Sequence, residues 1–179
     1  MRYPILMLVA LVWPAAGLAT VTAQQQDGFA IEQGVDVAAD SVAIYALLQQ
    51  PGRWWNSDHS YSGDARNMTL DARIGGCFCE VLPAKDGLFA GSVEHARVIH
   101  AAPGRTLRLV GSLGPLQAEA VTGTLTFTLK PLGAGGTRID MTYVVGGYVR
   151  GGTGKLASAV DRVLGQQLQG LKRAADARR

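Results

Sequence analysis

KLASAVDRVLGQQLQGLKRAA, residues 155–175, is the stretch on which the fold turns. Its apolar residues Leu156, Val160, Val163, Leu164, Leu168 and Leu171 recur at helical spacing, while Asp161, Arg162, Gln166, Gln169 and Lys172 take the other face. That pattern predicts one amphipathic helix of roughly 20 residues, about 30 Å long and able to cross a whole sheet. Gly151-Gly152-Thr153-Gly154 before it reads as a flexible entry. A phosphate-binding loop needs a lysine at a spacing that this glycine run does not provide.

Upstream of the helix the period changes to two. From Ala118 to Lys130, Leu125, Phe127 and Leu129 alternate with Thr124, Thr126 and Thr128. From Thr137 to Val145, Ile139, Met141, Tyr143 and Val145 interleave with Arg138, Asp140, Thr142 and Val144. Further strands are expected at Thr106 to Leu113, at Leu88 to Ala101, and at Met68 to Leu82, the last interrupted by Gly75-Gly76 as a bulge or bend. Lys85-Asp86-Gly87 supplies a tight turn between two of them. Nearer the N-terminus, the run from Phe29 to Val37 reads as the first strand. Asp40 or Ser41 starts a short helix over Val42–Gln50, and Pro51-Gly52 stops it. Arg53-Trp54-Trp55-Asn56 opens a polar loop that runs to about Arg66. Alternation with one polar face means an antiparallel sheet covered on one side. The expected fold is α+β: a curved antiparallel sheet wrapped around one long C-terminal helix, with a short helix after the first strand.

The chain has 179 residues, 47% hydrophobic and 17% charged, which suits a single domain with a sizeable core and excludes a disordered chain. The net charge of +3 is spread out except for Lys172, Arg173, Arg178 and Arg179. No basic stripe interleaved with aromatics is present, so a nucleic-acid partner is not expected. Residues 1–23 differ from the rest. Arg2 precedes the apolar run Ile5–Trp13, then come Pro14, Gly17 and the small-residue site Val21-Thr22-Ala23. This order is that of a secretory signal peptide cleaved after about Ala23, leaving 24–179 as one domain, periplasmic or secreted, with no membrane span after cleavage. The alternative is an uncleaved anchor, which Pro14 disfavours. An exported chain permits disulfides. In Cys77-Phe78-Cys79, however, a regular strand holds the two Cα atoms about 6.5–7 Å apart, at the edge of disulfide geometry, so two buried thiols are expected.

Several pieces, in order, carry a family resemblance: the Asp40-Ser41 helix start, Arg53-Trp54-Trp55, Gly75-Gly76 with Phe78, Val93-Glu94, and Pro103-Gly104-Arg105-Thr106-Leu107. Gly114-Pro115-Leu116, Gly135-Gly136-Thr137-Arg138-Ile139 and Leu168-Gln169-Gly170-Leu171-Lys172-Arg173 follow. Across about Phe29–Ala175 the chain resembles the START-like (SRPBCC, helix-grip) superfamily, on its polyketide cyclase/dehydrase and lipid-transport side. The resemblance implies a cavity between sheet and C-terminal helix that takes a small hydrophobic ligand, lipid- or polyketide-like. It does not imply a reaction, since this shell serves carriers, sensors and some enzymes.

Under that resemblance the expected cavity wall is Phe78, Glu80, Glu94, Leu107, Leu109, Phe127, Met141, Tyr143, Val160, Leu164 and Leu168. Glu94 is the candidate acid/base or ligand-orienting group, because relatives often place a glutamate inward there, and period two then groups it with Ser92, Ala96 and Val98. Glu80 joins it if the hairpin register allows, and the sequence leaves that register open. Tyr143 is the second candidate, through its hydroxyl. In another register Cys77, Cys79 and His95 share a face, but a soft-metal site lacks a fourth ligand, so no metal and no cofactor are expected. His59 and His100 read as surface residues, while Trp54 and Trp55 are candidates to gate a pocket mouth, but adjacent residues point differently, so at least one of them belongs to the core. The expected function is binding or carriage without catalysis. A cyclase or dehydratase using Glu94 and Tyr143 is the alternative, and a structural or stress-related envelope protein with a filled core is a third. The oligomeric state is not legible.

Overall fold

The computed structural model describes residues 21–177, so the apolar run and the start of the expected signal peptide lie outside the described residues. Eight strands, β1 (Val21–Gln25), β2 (Gly28–Val37), β3 (Met68–Leu70), β4 (Cys77–Leu82), β5 (Gly91–Ala102), β6 (Thr106–Val110), β7 (Ala120–Pro131) and β8 (Thr137–Tyr148), form one antiparallel sheet. Their order across it is β1-β2-β8-β7-β6-β5-β4-β3. The central pair is β7 (Ala120–Pro131) and β8 (Thr137–Tyr148), in unbroken register from Ala120↔Tyr148 to Pro131↔Thr137. Here the alternation of the sequence is realised residue by residue. Leu125, Phe127, Leu129, Ile139, Met141, Tyr143 and Val145 are buried on one face. β8 also pairs along its length with β2 (Gly28–Val37), which joins the first half of the chain to the last strand.

α1 (Ser41–Leu48) starts where Asp40 Oδ1 accepts hydrogen bonds from the amides of Val42 and Ala43, both at 2.9 Å. It buries Ile44, Tyr45, Leu47 and Leu48 and ends before Pro51. α2 (Gly154–Asp176) is the expected long helix. Leu164, Leu168 and Leu171 on its apolar stripe are buried against the inner face of the sheet. No helix among the described residues is long and apolar enough to cross a membrane.

Three expectations need correction. First, an additional edge strand, β1 (Val21–Gln25), pairs with β2, so Val21, Thr22 and Ala23 form part of the sheet. Second, Met68–Leu82 is not one interrupted strand. β3 (Met68–Leu70) turns back on β4 (Cys77–Leu82), pairing Met68 with Glu80 and Leu70 with Phe78. The glycines make a reversal: Gly75 takes φ 76°, and a Cβ on Gly76 would lie 2.1 Å from the Asp71 carbonyl oxygen. Third, Cys77 and Cys79 are joined in a disulfide and are not free thiols. Their Cα atoms are 5.4 Å apart, closer than on a regular strand, at the point where the register of β4 against β5 shifts.

The cause of the third correction also settles the hairpin. Phe78 pairs with Ala96 of β5 (Gly91–Ala102), but the next residue, Cys79, pairs with Glu94. His95 is therefore an extra residue, a β-bulge that turns both His95 and Ala96 inward. The tip of the hairpin is as the sequence suggests: Asp86 (φ 51°) and Gly87 (φ 80°) lie in the left-handed region, and the Leu88 amide donates to the Lys85 carbonyl at 2.9 Å.

Candidate functional site

A cavity of about 410 Å³ opens where three parts of the chain converge. The segment after α1 contributes Trp55, His59, Ser60 and Tyr61. The connection between β6 (Thr106–Val110) and β7 contributes Leu113, Gly114 and Pro115, and α2 contributes Ala159, Val160, Val163 and Leu164. The wall is mainly apolar, with polar groups at its mouth.

The segment after α1 is shaped by its tryptophans. Trp54 is buried, donating its indole N–H to the Leu47 carbonyl at 3.1 Å and meeting Phe127 edge-on at 6.3 Å. Trp55 turns the other way, onto Phe78 at 5.4 Å, and donates to the His59 carbonyl at 3.0 Å. Helix α2 comes close here: a Cβ on Gly170 would lie 2.1 Å from the Trp54 carbonyl oxygen. Gln167 is fully buried on α2, and its Oε1 accepts from the Asn56 amide at 2.7 Å. Its Nε2 has no hydrogen-bond partner among the described residues. At the mouth, His59 Nε2 lies 2.6 Å from Gln166 Oε1, and the Tyr61 hydroxyl donates to the Gly114 carbonyl at 2.9 Å. The Tyr61 bond ties one rim of the cavity to the other.

Behind that rim lies a buried ionisable pair. The Glu80 carboxylate accepts from the amides of Tyr61 (3.1 Å) and Ser62, and from His95 Nε2 at 3.0 Å. Burial pushes the Glu80 carboxyl up, but the hydrogen bonds from Ser62, Tyr61 and His95 outweigh it and hold it below the usual carboxylate range. Burial pushes His95 below its ordinary 6.5, against the opposing pull of Glu80. At neutral pH the pair is thus a carboxylate and a neutral imidazole whose Nε2–H donates, leaving Nδ1 as an acceptor. The His95 ring packs on Phe78 at 5.0 Å and on Tyr61 at 5.9 Å, and Tyr61 stands between it and the cavity.

The sequence-derived candidates divide on this geometry. Val160 and Leu164 line the cavity. Phe78 and Glu80 stand behind the wall, while Leu107, Leu109, Phe127, Met141 and Leu168 are buried in the filled part of the core. Glu94 is on the outer face, half-exposed and paired with Arg97. The expected inward orientation fails because period two, counted back from Val98 and Ala96, breaks at the His95 bulge. Tyr143 is fully buried, but its hydroxyl is spent on the backbone. It donates to the Gly111 carbonyl at 3.0 Å and accepts from the Leu113 amide at 3.1 Å, and burial pushes its pKa up to about 12. It holds the rim in place and presents no group to the cavity. Cys77 and Cys79 face away from His95, so the shared-face register does not occur. His59, read as a surface residue, lines the cavity. Tyr61, Leu113, Pro115, Ala159 and Val163 also form the wall, beyond the set expected from the sequence. The one sequence signal for them was the apolar stripe of α2 together with the Gly114-Pro115 turn.

No family model matches the sequence, and no curated protein matches it. Solved structures do. Protein MLL2253 from Mesorhizobium loti aligns over 84% of this chain and 98% of its own, with a TM-score of 0.58 at 18% identity. Protein CV1439 from Chromobacterium violaceum aligns over 82% and 97%, with a TM-score of 0.54 at 18% identity. The di-domain ARO/CYC StfQ of the steffimycin biosynthetic pathway aligns over 85% of this chain and 50% of its own, with a TM-score of 0.56 at 16% identity. These likenesses show the fold: a helix-grip α+β arrangement, in which a curved antiparallel sheet is closed by a long C-terminal helix.

Proposed function

We propose that this protein binds and carries a small, mainly apolar molecule outside the cytoplasm, in the cavity between Trp55–Tyr61, Leu113–Pro115 and α2. The observation that carries this reading is the cavity itself. Its volume of about 410 Å³ is in the range of small-molecule sites, and its wall is mainly apolar, unlike the larger and more polar grooves elsewhere on the surface. Its wall offers few convergent polar groups, which suits retention by burial more than bond-making. Export is supported by the order of features in residues 1–23 and by the Cys77–Cys79 disulfide, which belongs to an oxidising compartment. N-terminal sequencing of the exported protein is expected to begin at Gln24 or within a residue or two of it, a cut that removes Val21, Thr22 and Ala23 from the edge strand β1 and leaves β2 paired with β8. A mature chain retaining Trp13 counts against cleavage.

Binding is tested with 1-anilinonaphthalene-8-sulfonate, an apolar fluorescent probe. Val163→Trp places an indole in the cavity, and the probe's Kd is expected to rise about tenfold or more, equivalent to losing ~1.4 kcal/mol, with folding retained. Unchanged binding in Val163→Trp overturns the assignment of this cavity.

A second reading, a cyclase or dehydratase, draws on the likeness to StfQ and on the Glu80–His95 pair, whose neutral imidazole is a ready base. Glu94 and Tyr143 do not serve it, since Glu94 faces outward against Arg97 and the Tyr143 hydroxyl is bonded to the backbone of Gly111 and Leu113. The reading requires Tyr61 to move aside so that a substrate meets His95. Retention of turnover by His95→Gln, once a substrate is known, rules it out.

A further inference from the structure

Cys77 and Cys79 are bridged across a single residue, Phe78. Closing so short a loop removes little chain entropy from the unfolded protein, so stability does not account for the bridge. Its position suggests another use. Cys77 and Cys79 are half-buried on the outer face of β4, whereas Phe78 and Glu80 are buried on the inner face. A thiolate in solution can approach the bridge from outside. The inner residues of the same strand reach the cavity lid. Phe78 supports Trp55 and His95, and Glu80 holds the amides of Tyr61 and Ser62. Between the two faces, β4 is drawn in: its bridged Cα atoms are 5.4 Å apart, against about 6.5–7 Å on a regular strand, at the point where its register with β5 shifts.

We propose that Cys77–Cys79 is a reversible thiol–disulfide exchange site for a dithiol reductant, and that its reduction lets β4 extend and loosens the Glu80 clasp on Tyr61 and Ser62. The consequence for ligand affinity rests on the cavity reading above; the consequence for the clasp does not. In the exchange, one thiolate of the reductant attacks one of the two sulfurs. The Cys77–Cys79 bond breaks, a mixed disulfide forms, and the other cysteine leaves as a thiolate. The second thiolate of the reductant attacks the mixed disulfide and frees the remaining cysteine. The reductant is oxidised to its disulfide, the protein gains two electrons, and the two protons of the dithiol end on Cys77 and Cys79. Arg97 lies opposite Cys77 and Glu94 opposite Cys79, and these two are paired with each other. They add no net charge, so access and the small ring set the reactivity.

The test equilibrates the native protein in dithiothreitol buffers of graded reduced-to-oxidised ratio. Alkylation with mass spectrometry reads the thiols, and hydrogen exchange reads the amides of Tyr61 and Ser62. The pair is expected to titrate reversibly in the folded protein, and on reduction the two amides are expected to exchange roughly tenfold faster. A Cys77→Ser/Cys79→Ser protein is expected to exchange at the faster rate with or without reductant. Three results overturn the proposal: free thiols in the unreduced protein, a pair that is reduced only on unfolding, or amide exchange that ignores reduction. The anilinonaphthalene probe is expected to bind the reduced form about fivefold more weakly, and equal affinity in both forms overturns the link from clasp to cavity. A probe that binds neither form, with amide exchange still responding, removes the cavity reading and leaves the exchange site standing.

Discussion

The β7–β8 ladder and the β4–β5 hairpin belong to one sheet, yet they obey different rules. In β7–β8 every residue pairs without a shift, and alternate residues are buried throughout the apolar stretch. In β4–β5 one extra residue, His95, reverses the faces on its N-terminal side, so Glu94 goes out while His95 and Glu80 come in. The regular pair supplies filled core. The irregular pair supplies a buried carboxylate and imidazole, a lid clasp and a surface disulfide. A single inserted residue changes which chemistry a strand presents, because side-chain orientation has period two.

The sharpest test of the contrast lies in the regular half. Phe127 is buried, with Trp54 against its ring. Phe127→Ala is expected to cost about 3–5 kcal/mol, lowering Tm by roughly 10 °C or more in a thermal melt. A loss under about 1 kcal/mol shows that the filled half is loosely packed and breaks the comparison.

The irregular half responds to charge. Glu80→Gln keeps the shape but weakens three hydrogen bonds, for an expected cost of about 1–3 kcal/mol. Its pH dependence has a definite sign. The Glu80 pKa is lowered on folding, so its contribution is complete above the ordinary 4.5 and is lost as pH falls through the folded value. The His95 pKa is also lowered, so between its folded value and 6.5 the unfolded chain binds the extra proton. Stability therefore declines on acidification from about pH 6.5 and again below about 4.5. Asp64, Asp71 and Glu119 are held low as well, by Arg66, Arg73 and Arg150, so the difference between wild type and variant is the readout. In urea titrations Glu80→Gln is expected to lose the Glu80 part of the acid branch. Parallel curves for the two proteins contradict the buried clasp.

The smallest effect is expected one residue from the bulge. Glu94→Gln removes an exposed ion pair with Arg97, worth no more than about 0.5 kcal/mol, and leaves probe binding unchanged. A large loss of binding in Glu94→Gln places that side chain in the cavity and reverses the assigned register.

Legibility follows the same division. The stripe Leu164, Leu168, Leu171 and the alternation around Leu125, Phe127, Ile139 and Met141 were readable because each repeats a period over many residues, and each repeat adds burial of the same sign. The helix start was readable to within one residue, Asp40 or Ser41, because a cap acts on amides only two and three residues along the chain. The candidate site was much less legible. Of the expected wall only Val160 and Leu164 line the cavity. Tyr61, Leu113 and Pro115 lie in loops without a period, and only folding brings them together.

By itself the sequence determined the antiparallel sheet, the short capped helix, the long covering helix and the side of β7 and β8 that faces inward. These are local periodicities summed over length. Only the tertiary structure decided the register of β4 against β5, the pairing of Cys77 with Cys79, the inward turn of His95 and the place of the cavity. Each depends on one residue inserted in a ladder or on side chains far apart in the chain, and neither leaves a period to read.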